Sequence, residues 1–436
     1  MRWYAGAILI LIAALALGLG LLAYAMYALL GVMIASRVLS RVWIENVSAD
    51  RECNRLSANI GDRVAVVVNV RNRGMLPVAW LLLEDLLPLS ALIYRPPNLG
   101  VEGQRLQLKM LASHGNCVVL YQLQCNRRGY YQIGPLVLET GDLFGLHRRY
   151  RVATEPHFLL VYPQVVPLLG YDVASRRPIG EIRLQHRLYE DPTRIAGVRR
   201  YEAGDPLNRV HWRATARTGM LHSKVYEAST IAGATILLDF HEVSHAKKDE
   251  PYRSDLAVTA AASIANAIYE MGQQIGLISN ARDAADRIRQ EGWRSDDYRT
   301  RSAARSAAAM IERSERLQPI VVPTRRGPET LLQIQQVLAR AELTDGLDFP
   351  QLVFDTISRL PRDATVVAIL PVANEAVIVT LQMLRRRGYA VTAILNFYDD
   401  YEYAQAAGML SAVGITAHHL KDEKCVAEIC REFALR

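Results

Sequence analysis

The side chains best suited to chemistry or recognition lie in one arginine-rich segment near the middle of the chain. Its guanidinium groups belong to Arg199, Arg200, Arg209, Arg213 and Arg217. Guanidinium groups at this density need partners, and bidentate bonds to the carboxylates of Glu202 and Asp205 are one solution. An acidic surface on another protein, or lipid phosphate groups, is a second solution. The segment therefore predicts either an internal ion-pair network or a docking surface.

His211 and Trp212, in the same segment, resemble a catalytic pair at first sight. No nucleophile or orienting carboxylate stands at a known spacing from them, so we expect a packed histidine beside a core tryptophan. Asp205 or Asn208 could cap a short helical turn over 210–216. The sequence shows no paired carboxylates, catalytic triad or phosphate-binding glycine loop. We therefore expect a protein that is not an enzyme and uses no cofactor.

The first element that must position these residues is an apolar leader. Ala5–Ala35 carries no charged residue, which exceeds the roughly 20 residues needed to cross a bilayer. The leader predicts a membrane anchor at 1–41, built as one long helix or as a hairpin of two short spans turning near Gly18 and Gly20. Arg37 follows it, so the positive-inside rule predicts that the body of the protein is cytoplasmic. A cleaved signal peptide is the alternative, and it would place the body outside the cytoplasm.

Two folded modules follow the leader. Short β-branched or alternating runs separated by Gly, Pro and Asn predict an all-β, sandwich-like domain over 42–165. An Arg-rich linking region covers 166–226. Buried strands alternate with helices over 227–436, which predicts a doubly wound, Rossmann-like α/β domain with a mostly parallel sheet. An exposed insertion rich in Arg, Ala, Ser and Asp interrupts it at 281–318.

Charge and cysteine content narrow the function classes. The formal net charge of +7 suits an anionic membrane surface or an acidic partner, but it is too diffuse to predict a nucleic-acid-binding protein. The five cysteines form no CxxC motif, so we expect free, mostly buried thiols in a reducing compartment.

The arginine-rich segment resembles the core of a bacterial family called domain of unknown function 58. The pattern is carried by Tyr201, Gly204, Asp205, Arg209, His211, Trp212, Arg217, Gly219 and Leu221. The candidate interaction residues are Arg200 and all residues of this pattern except Leu221. Upstream elements at 128–130 and 141–146 also match. The resemblance implies an uncharacterised protein of the bacterial inner membrane, a MoxR-type AAA+ ATPase as a partner, and a C-terminal half similar to a von Willebrand factor A domain.

Likeness to a von Willebrand factor A domain raises the question of a Mg²⁺ site. Such domains hold Mg²⁺ with an Asp-x-Ser-x-Ser loop, because this hard cation prefers oxygen ligands. Here the loop reads Asp239-x-His241-x-Val243, and only Asp239 offers a suitable ligand. We expect Asp239 to be a cap or turn residue, with His241 and His245 in a polar loop, and no metal site.

The leading interpretation is therefore a membrane-anchored, non-enzymatic scaffold or adaptor. Its partners would be the lipid bilayer and another protein. The family resemblance suggests a MoxR-type ATPase as that protein. A Mg²⁺-dependent adhesion module is the alternative. It would require Asp239 to bind the metal.

Overall fold

The computed structural model describes residues 2–88, 91–142, 147–167, 190–202, 209–228, 233–285, 317–361 and 364–435. The chain forms two compact units. The first comprises 1–164, 282–316 and 335–342, and the second comprises 165–281, 317–334 and 343–436. The segment expected at 281–318 lies outside the described residues from 286 to 316.

The chain begins with two apolar helices, α1 (Arg2–Ala16) and α2 (Gly20–Asn46). By length and composition, α2 could cross a membrane, and α1 is a shorter apolar helix. They lie side by side, since the Tyr4 hydroxyl donates to the Met33 carbonyl at 2.9 Å. Gly18 adopts a left-handed φ of 66° in the turn between them.

The last part of α2 leads directly into a β-rich module. Its described strands are β1 (Val47–Cys53), β2 (Ser57–Asn59), β3 (Arg63–Asn72), β4 (Val78–Asp85), β5 (Leu99–Gly103), β6 (Leu106–Leu111), β7 (Asn116–Cys125), β8 (Gly129–Ile133), β9 (Leu136–Gly141), β10 (Arg148–Thr154) and β11 (His157–Tyr162). They form sheets ordered β1-β3-β7-β5, β10-β9-β4-β6 and β2-β11-β8. The predicted β-rich class is confirmed.

Strand alternation builds the core of this module. In β3, the side chains of Val64, Val66, Val68 and Val70 are fully buried, while the residues between them are more exposed. Trp43 and Ile44, at the end of α2, pack into the same core. The end of the apolar leader is therefore part of the folded module.

A buried ion pair crosses the centre of the β module. The Arg51 guanidinium makes a bidentate pair with the Asp85 carboxylate, and its Nε atom lies 3.0 Å from Oδ2. The Tyr121 hydroxyl donates to the same oxygen at 2.7 Å, and Arg51 Nη1 donates to the carbonyls of Ile133 and Glu155. These bonds satisfy the buried charges locally.

An antiparallel ladder of β12 (Glu190–Arg200) and β13 (His222–Ala228) precedes the α/β sheet. The sheet strands are β14 (Gly233–Leu238), β15 (Gln274–Ser279), β17 (Ile320–Arg325), β19 (Thr365–Leu370), β20 (Val391–Leu395) and β21 (Thr416–His419). Their order is β17-β15-β14-β19-β20-β21, parallel except for β17. Two short strands, β16 (Arg282–Asp283) and β18 (Ala341–Glu342), pair separately.

The described helices of the rest of the chain follow these strands. They are α3 (Trp212–Thr218), α4 (Tyr252–Glu270), α5 (Pro328–Arg340), α6 (Phe349–Thr356), α7 (Glu375–Arg386), α8 (Asp400–Ala412) and α9 (Glu423–Leu435), with 3₁₀ turns at Glu242–Ser244 and Ile357–Arg359. Strand order reverses between β14 and β19, which lie side by side. Ligands of open α/β sheets bind at the carboxyl ends of such neighbouring strands.

Local details of the α/β unit differ from expectation in two places. The spacing of the apolar residues, with Ser254 as a possible cap, predicts a helix that starts at Asp255, but α4 begins at Tyr252 after Pro251 and the Ser254 hydroxyl donates to Glu250. The edge strand β17 was not expected, because Pro323 interrupts its β-branched run. Proline is tolerated there because an edge strand leaves one row of N–H groups unpaired.

Candidate functional site

The arginine-rich segment folds around the ladder of β12 and β13. Arg199 pairs with Ser223, and Arg200 pairs with His222. The Tyr201 N–H donates to the Leu221 carbonyl at 2.9 Å, which closes this end of the ladder. Strand pairing therefore brings the two ends of the pattern, Tyr201 and Leu221, together.

Helix α3 carries the centre of the pattern, and two residues of the pattern define its ends. The His211 ring accepts from the Ala214 N–H at 3.0 Å, so His211 is the N-cap. Gly219 ends the helix with a left-handed φ of 70°, and its N–H donates to the Thr215 carbonyl. The prediction that Asp205 or Asn208 caps this helix was wrong, because the His211 ring fills that position. His211 therefore has a structural role.

Trp212 is not a core residue, contrary to expectation. Its side chain is 69% exposed, and none of the seven residues of α3 is buried. Arg213 and Arg217 are exposed on the same short helix. We expected a core tryptophan because His211 and Trp212 are adjacent in sequence. Helix α3 buries none of its residues, so it has no core into which Trp212 could pack. An exposed tryptophan on the same short helix as two exposed arginines is suited to recognition.

An ion pair joins two described residues of the segment. Arg199 Nη1 lies 3.5 Å from Glu202 Oε2, and both side chains are substantially exposed. Arg200 is exposed and Arg209 is half-buried. Gly204 and Asp205 lie outside the described residues, so the predicted bond to Asp205 remains a prediction.

The second predicted position, Asp239, is held in a turn after β14. It is 1% exposed, and its Oδ1 atom accepts from the His241 N–H at 3.1 Å and from Asn280 Nδ2 at 2.9 Å. Asn280 Oδ1 also accepts from the Phe240 N–H. The prediction that Asp239 is a turn residue is confirmed.

The residues around Asp239 do not fit a Mg²⁺ ion. One of its carboxylate oxygens already serves two N–H donors, His241 accepts from the Val243 N–H as the cap of a 3₁₀ turn, and Val243 has no ligand atom. The described residues contain no group of three His, Cys, Asp or Glu side chains placed to share an ion. The side chains at these three loop positions therefore do not offer the set of oxygen ligands that a hard cation needs.

His245 lies in the predicted polar loop, where it is buried in a network of hydrogen bonds. Its side chain is buried, its Nε2 atom lies 3.3 Å from the Asp239 carbonyl, and its Nδ1 atom lies 2.9 Å from Glu250 Oε1. The Ser254 hydroxyl donates to the other Glu250 oxygen. These hydrogen bonds join the turn after β14 to the start of α4, so they fix the position of the loop at the edge of the sheet.

The charge on Glu250 should make this loop sensitive to acid. Burial alone would raise the pKa of the Glu250 carboxyl, but hydrogen bonds from His245 and Ser254 outweigh it and lower that pKa below 4.5. A lowered pKa contributes stability above about pH 4.5 that is lost as the pH falls through the folded value. We expect Glu250→Gln to lower the free energy of unfolding at pH 7 by about 1–3 kcal/mol.

Denaturant titrations between pH 7 and pH 3 measure this effect. The wild-type chain should lose more stability over that range than Glu250→Gln. Equal pH dependence of the two proteins would contradict the assignment of the charge to this network of hydrogen bonds.

An open cavity of about 920 Å³ lies at the carboxyl edge of the α/β sheet, where the strand order reverses. Among the described residues, three helices begin at this cavity, namely α4, α7 and α8. The side chains of Asn374 and Asp399 cap α7 and α8. The positive ends of the helix dipoles therefore converge on the cavity.

Arg253, in the first turn of α4, is the most buried charged residue that lines this cavity, at 6% exposure. Its Nη1 atom donates to Asn396 Oδ1 and to the carbonyls of Leu420 and Lys421, at 3.0–3.3 Å. The ring of Tyr398 lies over the guanidinium, 5.2 Å from Cζ. We did not predict this residue from sequence. One signal was available, since a cation in the first turn of a helix opposes the dipole and needs a local reason.

Comparisons with known proteins agree with the motif. A family model described as "Protein of unknown function DUF58" matches residues 197–296. The Uncharacterized protein YeaD of Bacillus subtilis strain 168 is 24% identical over 324 residues, covering 74% of this chain and 77% of that protein.

Solved structures resemble only parts of the chain. A CARDB domain from Pyrococcus furiosus covers 26% of this chain and 91% of its own, with 10% identity and a TM-score of 0.18. The pilus adhesin SpaC of Lactobacillus rhamnosus GG covers 47% of this chain and 30% of its own, with 10% identity and a TM-score of 0.30. Because both TM-scores are below 0.5, the fold is defined here by the strand order of the chain itself. The matched segment at 197–296 and the long alignment with the Bacillus protein make the chain similar to members of the DUF58 family.

Proposed function

We propose that the chain is a membrane-anchored, non-enzymatic scaffold that binds an acidic partner protein through the exposed face of α3. One observation carries this proposal: α3 buries none of its residues, yet presents Trp212 at 69% exposure on the same helix as the exposed Arg213 and Arg217. We define the docking surface as Arg200, Trp212, Arg213 and Arg217. Trp and Arg are the residue types most enriched at the energetic centres of protein interfaces.

Charge favours an acidic partner. Arg200, Arg213 and Arg217 are exposed, and Glu202 pairs with Arg199. Exposed guanidinium groups raise the association rate with a surface of opposite charge, and that rate falls with salt. A MoxR-type AAA+ ATPase is the partner that the family resemblance suggests.

The anchor completes the proposal. Helix α2 is long and apolar enough to cross a bilayer, and its last turns pack into the core of the β module. Retention at the membrane would hold both modules at its surface, on the cytoplasmic side by the positive-inside rule. The strand order β17-β15-β14-β19-β20-β21 supports a von Willebrand factor A-like α/β unit, as one member of the doubly wound class. Because Asp239 serves two N–H donors, we do not propose a Mg²⁺-dependent adhesion module.

Truncating the tryptophan should weaken partner binding with little change in stability. The full chain in lipid nanodiscs would be titrated with a purified MoxR-type ATPase from the same organism. Trp212→Ala should raise the dissociation constant about 30-fold, since a central aromatic residue contributes about 2 kcal/mol or more. Arg213→Gln with Arg217→Gln should reduce the salt dependence of binding.

Met75→Ala is the matched control, because Met75 is an apolar residue exposed at 85% in the β module. It should leave binding unchanged. Binding that survives Trp212→Ala at full strength would remove α3 from the interface. A wild-type chain that does not bind the ATPase would reject this partner.

A further inference from the structure

The cavity at the carboxyl edge of the sheet contains a buried cation with an unused donor. Arg253 Nη1 serves three acceptors, whereas Arg253 Nη2 is buried and meets no acceptor among the residues that the structure describes. A buried charged N–H that is left unpaired costs free energy, so a ligand that brings an acceptor is favoured.

We infer that this cavity binds the carboxylate group of a ligand, with one carboxylate oxygen accepting from Arg253 Nη2. Two independent features converge on an anion. The unpaired Nη2 belongs to a side chain more than nine-tenths buried in the cavity wall, and the N-termini of α4, α7 and α8 meet there. Helix N-termini favour negative charge.

The charges of the lining favour a singly charged anion over a phosphate dianion. The cavity wall contains four carboxylates, from Asp249, Asp399, Asp400 and Glu402, and three cations, from Lys248, Arg253 and Lys421. Lys421 already pairs with Asp400 at 2.7 Å. The bond to Arg253 Nη2 offsets one negative charge on the ligand, but because the lining carries one net negative charge, a second charge on the ligand would be unfavourable here.

Tyr398 controls access to the unpaired nitrogen. Its side chain is 73% exposed, while its ring covers the guanidinium. An exposed ring has few contacts to hold it, so it can rotate away at low cost and uncover Nη2. The aromatic ring covers the face of the guanidinium, and the carboxylate accepts from Nη2 in the guanidinium plane.

Calorimetric titration of the full chain, at constant ionic strength, tests the site. The probes are capped glutamate (N-acetyl-glutamate N-methylamide), its neutral match capped glutamine, acetate and inorganic phosphate. The wild-type chain should bind capped glutamate at least tenfold more tightly than capped glutamine, and more tightly than phosphate. If acetate binds as well as capped glutamate, the natural ligand is a small free acid; if it binds more weakly, an acidic side chain is favoured.

Two substitutions locate the binding. Arg253→Lys should lose at least tenfold in affinity for capped glutamate, and Tyr398→Ala should keep or increase that affinity because Nη2 is uncovered. If Arg253→Lys fails to fold, the wild-type preference for glutamate over glutamine still decides. Equal binding of the two probes, tighter binding of phosphate, or loss of binding in Tyr398→Ala would overturn the assignment. The cavity and the docking surface share no residue, so either can fail alone.

Discussion

Asp85→Ala is expected to destabilise the β module by about 3–5 kcal/mol, the largest effect of any single substitution considered for this chain. The loss leaves the Arg51 guanidinium buried without its carboxylate, although its bonds to the carbonyls of Ile133 and Glu155 remain. The Tyr121 hydroxyl loses its acceptor at the same time. Burial, reinforced by Asp85, raises the pKa of Tyr121 well above its usual range, so the neutral hydroxyl is the donor.

Hydrogen exchange measures this prediction better than a single melting curve, because a chain of two compact units need not unfold in one step. Amides of β3 should exchange faster in Asp85→Ala, while amides of β14 should not change. Arg63→Ala is the control, since Arg63 pairs with Glu102 at the surface of the same module.

A double substitution separates the unpaired charge from the loss of packing. Arg51→Met combined with Asp85→Leu removes both charges and should recover a large part of the stability. If the double variant is no more stable than Asp85→Ala, the unpaired guanidinium is not the cause of the loss.

Asn280→Ala is expected to have the second largest effect, about 3 kcal/mol, because it removes three buried hydrogen bonds at once. Asn280 accepts from the Phe240 N–H at 2.6 Å, and donates to Asp239 Oδ1 at 2.9 Å and to the Leu347 carbonyl at 2.8 Å. Their loss should loosen the turn that follows β14.

Denaturant unfolding and hydrogen exchange at the Phe240 amide test this prediction. Asn374→Ala is the matched control, because the side chain of that exposed asparagine makes one N-cap bond worth about 1 kcal/mol. A smaller loss for Asn280→Ala than for Asn374→Ala would show that Asn280 does not organise the turn.

Periodic patterns in the sequence predicted the fold class well. The β-branched run within β3 and the apolar run of β14 have lengths and compositions typical of strands, and both are confirmed. The edge strand β17 escaped prediction because Pro323 resembles a strand breaker when the sheet position is unknown. The local sequence pattern therefore shows which segments form strands. Which strand lies at the edge depends on the order of the strands in the folded sheet.

The candidate sites were harder to predict, because exposure is a tertiary property. Sequence neighbours suggested that His211 and Trp212 pack together, yet one caps α3 and the other faces solvent. The role of Arg253 could not be predicted from sequence, since its acceptors lie more than 140 residues away along the chain. Long-range partners of this kind leave no local pattern.

The two antiparallel helices at the start of the chain determine what an experiment on membrane topology should find. Since the turn at 17–19 reverses direction, an inserted hairpin makes an even number of crossings, and both termini face the same compartment. Topology reporters fused to the N-terminus and to the C-terminus should then locate both ends on the same side of the membrane. Helix α1 has 15 residues and spans about 22 Å, less than the roughly 30 Å of hydrocarbon, so the bilayer around the hairpin should be locally thinner.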